Sequence, residues 1–142
     1  MCWGTTYYLV GGFAGEMAAD LGRSETFVQS GFSLALLIMA VTSPITGRLI
    51  DRHGGRVMMS AGSLLAAAGC LALAASYEPL PYFASWVVLG VAMRLTLYEA
   101  AFATLARIGG PHARLAMAQV TLLGGLASTV FWPLGHAIAA AI

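Results

Sequence analysis

The segment VMMSAGSLLAAAGCLALAASY, residues 57–77, decides the fold class because its 21 residues include no charged side chain. Two further charge-free runs lie on either side of it, 22 residues at 26–47 and 28 residues at 115–142. A helix needs about 20 apolar residues to cross the hydrocarbon core of a bilayer. Strands of a membrane barrel would instead alternate polar and apolar residues over segments of about 10, and no run here does so. The sequence therefore predicts an all-α integral membrane protein.

The composition agrees, since 59% of the residues are hydrophobic and only 9% are charged, against about 25% charged in a soluble domain. Two less uniform stretches, 2–19 with Glu16 and 82–106 with Arg94 and Glu99, are long enough to be spans as well. We therefore predict one domain over residues 1–142 with five transmembrane helices. Their expected bounds are about 2–19, 27–47, 57–76, 82–106 and 115–140.

The charges indicate orientation rather than a charged partner. The chain has a formal net charge of +1, which does not favour nucleic acid as a ligand. Five of the seven arginines lie in two connectors, 48–56 and 107–114. Cytoplasmic loops carry the excess of basic residues, so we expect these two connectors and the N-terminus on the cytoplasmic side of an inner (plasma) membrane of bacterial type. Tyr82, Trp86 and Tyr77 near the opposite surface are read as an interfacial aromatic belt.

The most specific stretch is GRLIDRHGGR, residues 47–56. Gly47 suits the close approach of another helix, Asp51 can accept hydrogen bonds from a neighbouring helix N-terminus, and Gly54 suits a turn. This stretch resembles the loop signature between helices 2 and 3 of major facilitator superfamily (MFS) transporters, G-x-L-x-D-R-x-G-[RK]-[RK]. Six positions match, namely Gly47, Leu49, Asp51, Arg52, Gly54 and Arg56, whereas Gly55 replaces a basic residue. A gating loop is one interpretation, and a simple positively charged loop with a helix cap is the other.

The resemblance implies that the chain corresponds to helices 1 to 5 of the N-terminal six-helix bundle in a 12-helix fold. It implies a secondary active transporter that moves a small solute by alternating access, not an enzyme. The abrupt start at Cys2 and the apolar end at Ile142 also lead us to expect a fragment whose partners are the lipid bilayer and a missing C-terminal half. Residues 3–8 and 20–24 look most like the monocarboxylate and oxalate/formate branch of the family.

Arg94 is the first candidate for the substrate site, because an arginine at the centre of a span costs roughly 2.5–3.5 kcal/mol on insertion scales. The family fold implies that helices 1 and 4 line the central cavity, which would place Arg94 beside the substrate path. Guanidinium binds carboxylate in a bidentate manner, so an organic anion is the candidate substrate. Tyr8 and Tyr98 lie on the same helix stripes as the charged candidates and are expected to contribute. An internal ion pair of Arg94 remains the alternative.

Glu16 and Glu99 are candidates for coupling or proton relay, because acidic residues inside spans often serve such pathways. Each has a simpler alternative: Glu16 can reach headgroup water, and Glu99 can pair with a loop arginine such as Arg56. The three histidines form no metal triad, Cys2 and Cys70 are read as apolar fillers, and no cofactor is expected. Nucleotide-binding and hydrolase motifs are absent from the sequence. The alternative to a transporter is a non-transporting helical scaffold or assembly protein.

Overall fold

The computed structural model describes residues 6, 9–110, 113–126, 129–130, 133–134 and 137, with the backbone alone for Leu9, Tyr98 and Glu99. Within this part of the chain there are six helical segments and no strand. They are α1 (Leu9–Asp20), α2 (Glu25–His53), α3 (Gly55–Ala74), α4 (Pro79–Thr96), α5 (Tyr98–Ile108) and α6 (Ala113–Gly125). The all-α architecture predicted from the sequence is confirmed.

Among the residues that the structure describes, three segments are long and apolar enough to cross a membrane. They are Glu25–His53, Gly55–Ala74 and Pro79–Ile108, with mean hydropathies of 1.6, 1.9 and 1.4. α2 has 29 residues, and a helix of that length extends about 43 Å at 1.5 Å per residue. The hydrocarbon core is about 30 Å thick, so the ends of α2 reach into the headgroup region.

The segment 48–53 is helical, which corrects the expectation of a loop over residues 48–56. α2 continues to His53 and α3 begins at Gly55, so Gly54 alone separates them. Nothing before Gly54 breaks the helix, and Arg52 and His53 in its last turn oppose the negative end of the helix dipole favourably. Gly54 turns the chain with a φ of 81°, a value that costs glycine little. Its N–H donates to Ile50 O at 2.9 Å.

The fourth predicted helix, 82–106, is divided in two. α4 begins at Pro79, because a proline in the first turn loses no hydrogen bond. It ends at Thr96, and Leu97 adopts an extended conformation (φ −79°, ψ −173°) before α5 begins. Leu97 is buried in the core, and neither glycine nor proline interrupts this region of the sequence. Local propensity therefore gives no sign of the break, which explains why the sequence predicted one continuous helix.

Small residues bring α2 and α3 against α4. A Cβ added to Gly90 would lie 2.6 Å from Ala35 O of α2. A Cβ on Gly62 or Gly69 of α3 would lie 2.6 Å from Leu95 Cβ and 2.8 Å from Leu89 Cδ2, respectively. Such distances leave no room for a side chain, so these glycines allow the close helix approach typical of membrane bundles. α4 is consequently the central helix of the described part of the chain.

Candidate functional site

The motif at residues 47–56 lies where α2, α3 and α5 meet. Arg107, near the end of α5, donates from Nη1 to Ile50 O at 3.2 Å and to the backbone oxygen of Asp51. A cation at the carbonyl end of a helix is stabilising, so Arg107 both caps α2 and attaches α5 to it. From the sequence, Arg107 indicates only the orientation of the chain. No local signal connects it to a motif more than fifty residues earlier.

Asp51 takes part in this contact through its backbone and not through its carboxylate. The side chain is exposed and forms no hydrogen bond or ion pair with another described residue. The expectation that its carboxylate accepts hydrogen bonds from a neighbouring helix N-terminus is therefore not met within the part of the chain that the structure describes. The carboxylate stays open to a group beyond it.

Gly55, and not Gly47, is the glycine of the motif that lies against another described helix. A Cβ on Gly47 would have no neighbour within 4 Å, so the predicted close approach of a helix is absent among the described residues. A Cβ on Gly55 would lie 2.6 Å from Thr104 Cβ of α5 and still closer to its hydroxyl oxygen. The position that departs from the family pattern is thus the one against which α5 packs. A basic side chain at residue 55 would require Thr104 to move.

Arg94 occupies the last turn of α4 and is half-buried. Its Nη2 donates to Ser43 Oγ of α2 at 2.7 Å. Ser43 directly precedes Pro44, which lies inside α2 and cannot donate to the helix ladder. The bond to this hydroxyl orients the guanidinium near the middle of α2. Arg94 thus joins α2 to α4 one turn before the break at Leu97.

The other candidates are placed less fully. Tyr8 lies outside the described residues. Tyr98 and Glu99 begin α5, but their side chains are outside what the structure describes. Glu16 is on α1 and exposed, which fits both a coupling role and the simpler contact with headgroup water. The roles of these four residues remain predictions.

A groove between α1 and α2 contains the carboxylate of Glu25, which no pattern in the sequence marks as a candidate. It encloses a cavity of about 570 Å³ between glycines of α1 and the polar side chains of Glu25, Gln29 and Ser33 on α2. A Cβ on Gly15 would lie 3.5 Å from Glu25 Oε1. Glu25 precedes the predicted helix 27–47, whereas in the structure α2 begins at this residue, directly after its N-cap Ser24.

Tyr82 and Trp86 are buried, which corrects their interpretation as an interfacial belt. They are 1% and 0% exposed. Tyr82 Oη donates to Val28 O of α2 at 2.9 Å, and its ring stacks on Phe27 at a centroid distance of 5.2 Å. Both rings contact α2 at Gly31, where no side chain fits. Tyr77, by contrast, is exposed as expected.

No group of three histidine, cysteine or carboxylate side chains that could hold a metal ion occurs among the residues that the structure describes. The candidate site combines polar contacts between helices with the exposed carboxylate of Asp51 and the guanidinium of Arg94.

Comparison with known proteins places the sequence of this chain in a family. The sequence model of the Major Facilitator Superfamily matches residues 1–142. An MFS-type transporter of Aspergillus fumigatus is 31% identical over 102 residues, which are 70% of this chain and 23% of that protein. The chain thus spans about a quarter of the length of this relative. No solved structure matches the chain significantly.

Proposed function

The chain belongs to the Major Facilitator Superfamily, and on this premise we propose that it forms part of the N-terminal bundle of a secondary transporter. That transporter moves a small solute by alternating access, in which one helical bundle rocks against another around a central site. The match over the whole chain and the membrane-spanning helices support this role. The second bundle is the missing partner that the proposal requires.

The observation that carries the proposal is the division of the motif into an engaged side and an open side. The backbone oxygens of Ile50 and Asp51 bind Arg107, and Gly55 packs against Thr104. Gly47 and the Asp51 carboxylate have no such neighbours in the described chain. We propose that these open groups contact the second bundle in one gate state and separate from it in the other. Arg52, Gly54 and Arg56 complete this gate.

We further propose that the solute is an organic anion bound by Arg94. The support is the position of Arg94 in the interior of the span Pro79–Ile108 and the hydrogen bond that its Nη2 donates to Ser43 Oγ, which orients the guanidinium. A guanidinium keeps its charge at any physiological pH and binds carboxylate through two parallel bonds. Tyr8 and Tyr98 are proposed as further substrate contacts, and Glu16 and Glu99 as coupling carboxylates.

The orientation of the protein in the plasma membrane is also part of the proposal. The excess of arginine in segments 48–56 and 107–114 supports a cytoplasmic position for both, and therefore for the gate. The N-terminus would lie on the same side, since the first helix runs outward.

Uptake of radiolabelled mono- and dicarboxylates into proteoliposomes that contain the full-length protein tests this function. We expect saturable uptake, with an apparent affinity that falls from wild type to Arg94→Lys and further to Arg94→Gln. Lysine keeps the charge but loses the planar fork. Arg23→Gln, which removes the same charge from the α1–α2 connector, is the matched control and should behave as wild type.

Two results would contradict the proposal. If the wild-type protein takes up no organic anion, organic anions are not its substrates. If Arg94→Gln leaves the apparent affinity unchanged, Arg94 does not bind the substrate. If the complete reading frame encodes no second bundle, the protein is a helical scaffold and not a transporter.

A further inference from the structure

Five arginines gather at one end of the described helices, and we call this set the arginine end. All five are exposed, and they are Arg48, Arg52, Arg56, Arg107 and Arg114. The contacts of their helices bring them together: Arg107 binds the last turn of α2, and Gly55 at the start of α3 packs against Thr104 of α5. Gly109 at the end of α5 lies against Ala113, next to Arg114. Five cations therefore share one end of the bundle.

Little in the described chain neutralises this charge. Asp51 is the one acidic residue in segments 45–58 and 104–116. The side chains of Arg48, Arg52, Arg56 and Arg114 form no hydrogen bond or ion pair with another described residue, and the Arg107 side chain binds backbone carbonyls only. Since all five cations are arginines, each can present two parallel N–H donors to a phosphate.

A stripe of exposed apolar residues on α2 ends at two of these arginines. Leu37, Val41 and Ile45 form a stripe along α2, and each is more than half exposed. Arg48 and Arg52 follow Leu37 and Val41 by 11 positions, a spacing that returns a side chain to within about 20° of the same direction on a helix. The stripe therefore ends in two guanidinium groups.

α3 and α6 repeat this arrangement. Val57, Leu64 and Leu71 are more than half exposed along α3, and Arg56 directly precedes the first of them. On α6 the corresponding residues are Leu115 and Leu122, preceded by Arg114. Three helices thus combine a length of exposed apolar surface with an exposed arginine at the same end.

We propose that the arginine end is a binding site for anionic phospholipids of the adjoining leaflet. The phosphate lies among the guanidinium groups, and the acyl chains lie along the apolar stripes. Only an amphiphile with a negative headgroup matches both parts of this surface. The proposal depends on the protein lying in a membrane and not on its transport activity, so either can fail without the other.

Lipid binding to the purified full-length protein, measured by native mass spectrometry, tests the proposal. Dioleoyl phosphatidylglycerol should bind more tightly than dioleoyl phosphatidylcholine, which has the same chains and no net charge. A basic residue near an anionic surface contributes about 1 kcal/mol, which corresponds to about fivefold in affinity. Arg48→Gln should therefore weaken phosphatidylglycerol binding about fivefold, and Arg48→Gln with Arg114→Gln roughly 25-fold. Arg23→Gln, the matched control, should change it less than twofold.

Two further measurements keep the test decisive if a variant folds poorly. Higher salt should reduce the preference of wild-type protein for phosphatidylglycerol, and Arg48→Lys should retain most of it. Soluble glycerol phosphate distinguishes the source of the phosphate, and should bind far more weakly than the lipid. Equal binding of the two lipids, an unchanged preference in the double variant, or glycerol phosphate binding as tightly as phosphatidylglycerol would overturn the proposal.

Discussion

Different interactions hold α2 against α5 at one end of these helices and against α4 at the other. At the arginine end, Arg107 reaches two backbone carbonyls of α2 from an exposed position. At the opposite end, which we call the aromatic end, Phe27, Tyr82, Phe83 and Trp86 contact one another through their rings. Tyr82 Oη also binds Val28 O there.

This difference indicates which end can rearrange at low energetic cost. Exposed charge contacts contribute little to stability because water and salt replace them easily. Buried aromatic rings lose their close packing and the Tyr82–Val28 hydrogen bond when helices separate, and lipid chains replace only part of that packing. We therefore expect α2 and α4 to stay together at the aromatic end while movement concentrates at the arginine end, where the proposed gate lies.

The largest effect is expected from Trp86→Ala at the aromatic end. The indole is fully buried between α4 and α2, and replacing a buried tryptophan by alanine costs about 3–5 kcal/mol through the cavity that remains. The free energy of unfolding of the detergent-solubilised protein should fall by this amount. A loss below about 1 kcal/mol would show that the aromatic end does not hold the helices together.

A pair of glycine substitutions should give the next largest effect. Gly90→Ala forces a Cβ to within 2.6 Å of Ala35 O, and overpacking of this kind costs about 1–3 kcal/mol. Gly47→Ala is the matched control in an open position of α2, where alanine favours the helix by up to about 1 kcal/mol. Thermal unfolding of both variants checks this, and equal melting temperatures would contradict the proposed α2–α4 contact.

Arg107→Gln at the arginine end should have the smallest effect on stability. A cation at a helix C-terminus contributes about 0.3–1 kcal/mol, so the melting temperature should change only slightly. Lysine at the same position should restore most of that contribution. If Arg107→Gln destabilised the protein as much as Trp86→Ala, the two ends would not differ in the way described.

The sequence predicted the fold class and the family because both depend on local patterns. Charge-free runs identify spans whatever their partners, and the motif at 47–56 is contiguous. The helix break at Leu97 was not predictable, since leucine and threonine are compatible with a continuous helix. The aromatic belt was wrong for a related reason: the sequence gives no sign that Gly31 leaves space for the rings of Tyr82 and Trp86.

The candidate site was predictable only as a set of residues. Arg94 and Asp51 stood out because charged residues are rare in this chain. The sequence did not identify their partners, because Ser43 lies more than fifty residues from Arg94 and Arg107 lies more than fifty residues from Asp51. Such pairs depend on how the helices pack, and no local pattern records that packing.

The transport rate of Asp51→Asn in the full-length protein tests the central claim most directly. The carboxylate has no partner among the described residues, so its loss should leave expression and the melting temperature of the resting protein close to wild type. The proposed gate uses this charge in one state only, and a charge-assisted hydrogen bond is worth about 1.5–3 kcal/mol. We therefore expect exchange in proteoliposomes to slow roughly tenfold or more. Wild-type exchange rates in Asp51→Asn would show that residues 47–56 are only a charged helix end.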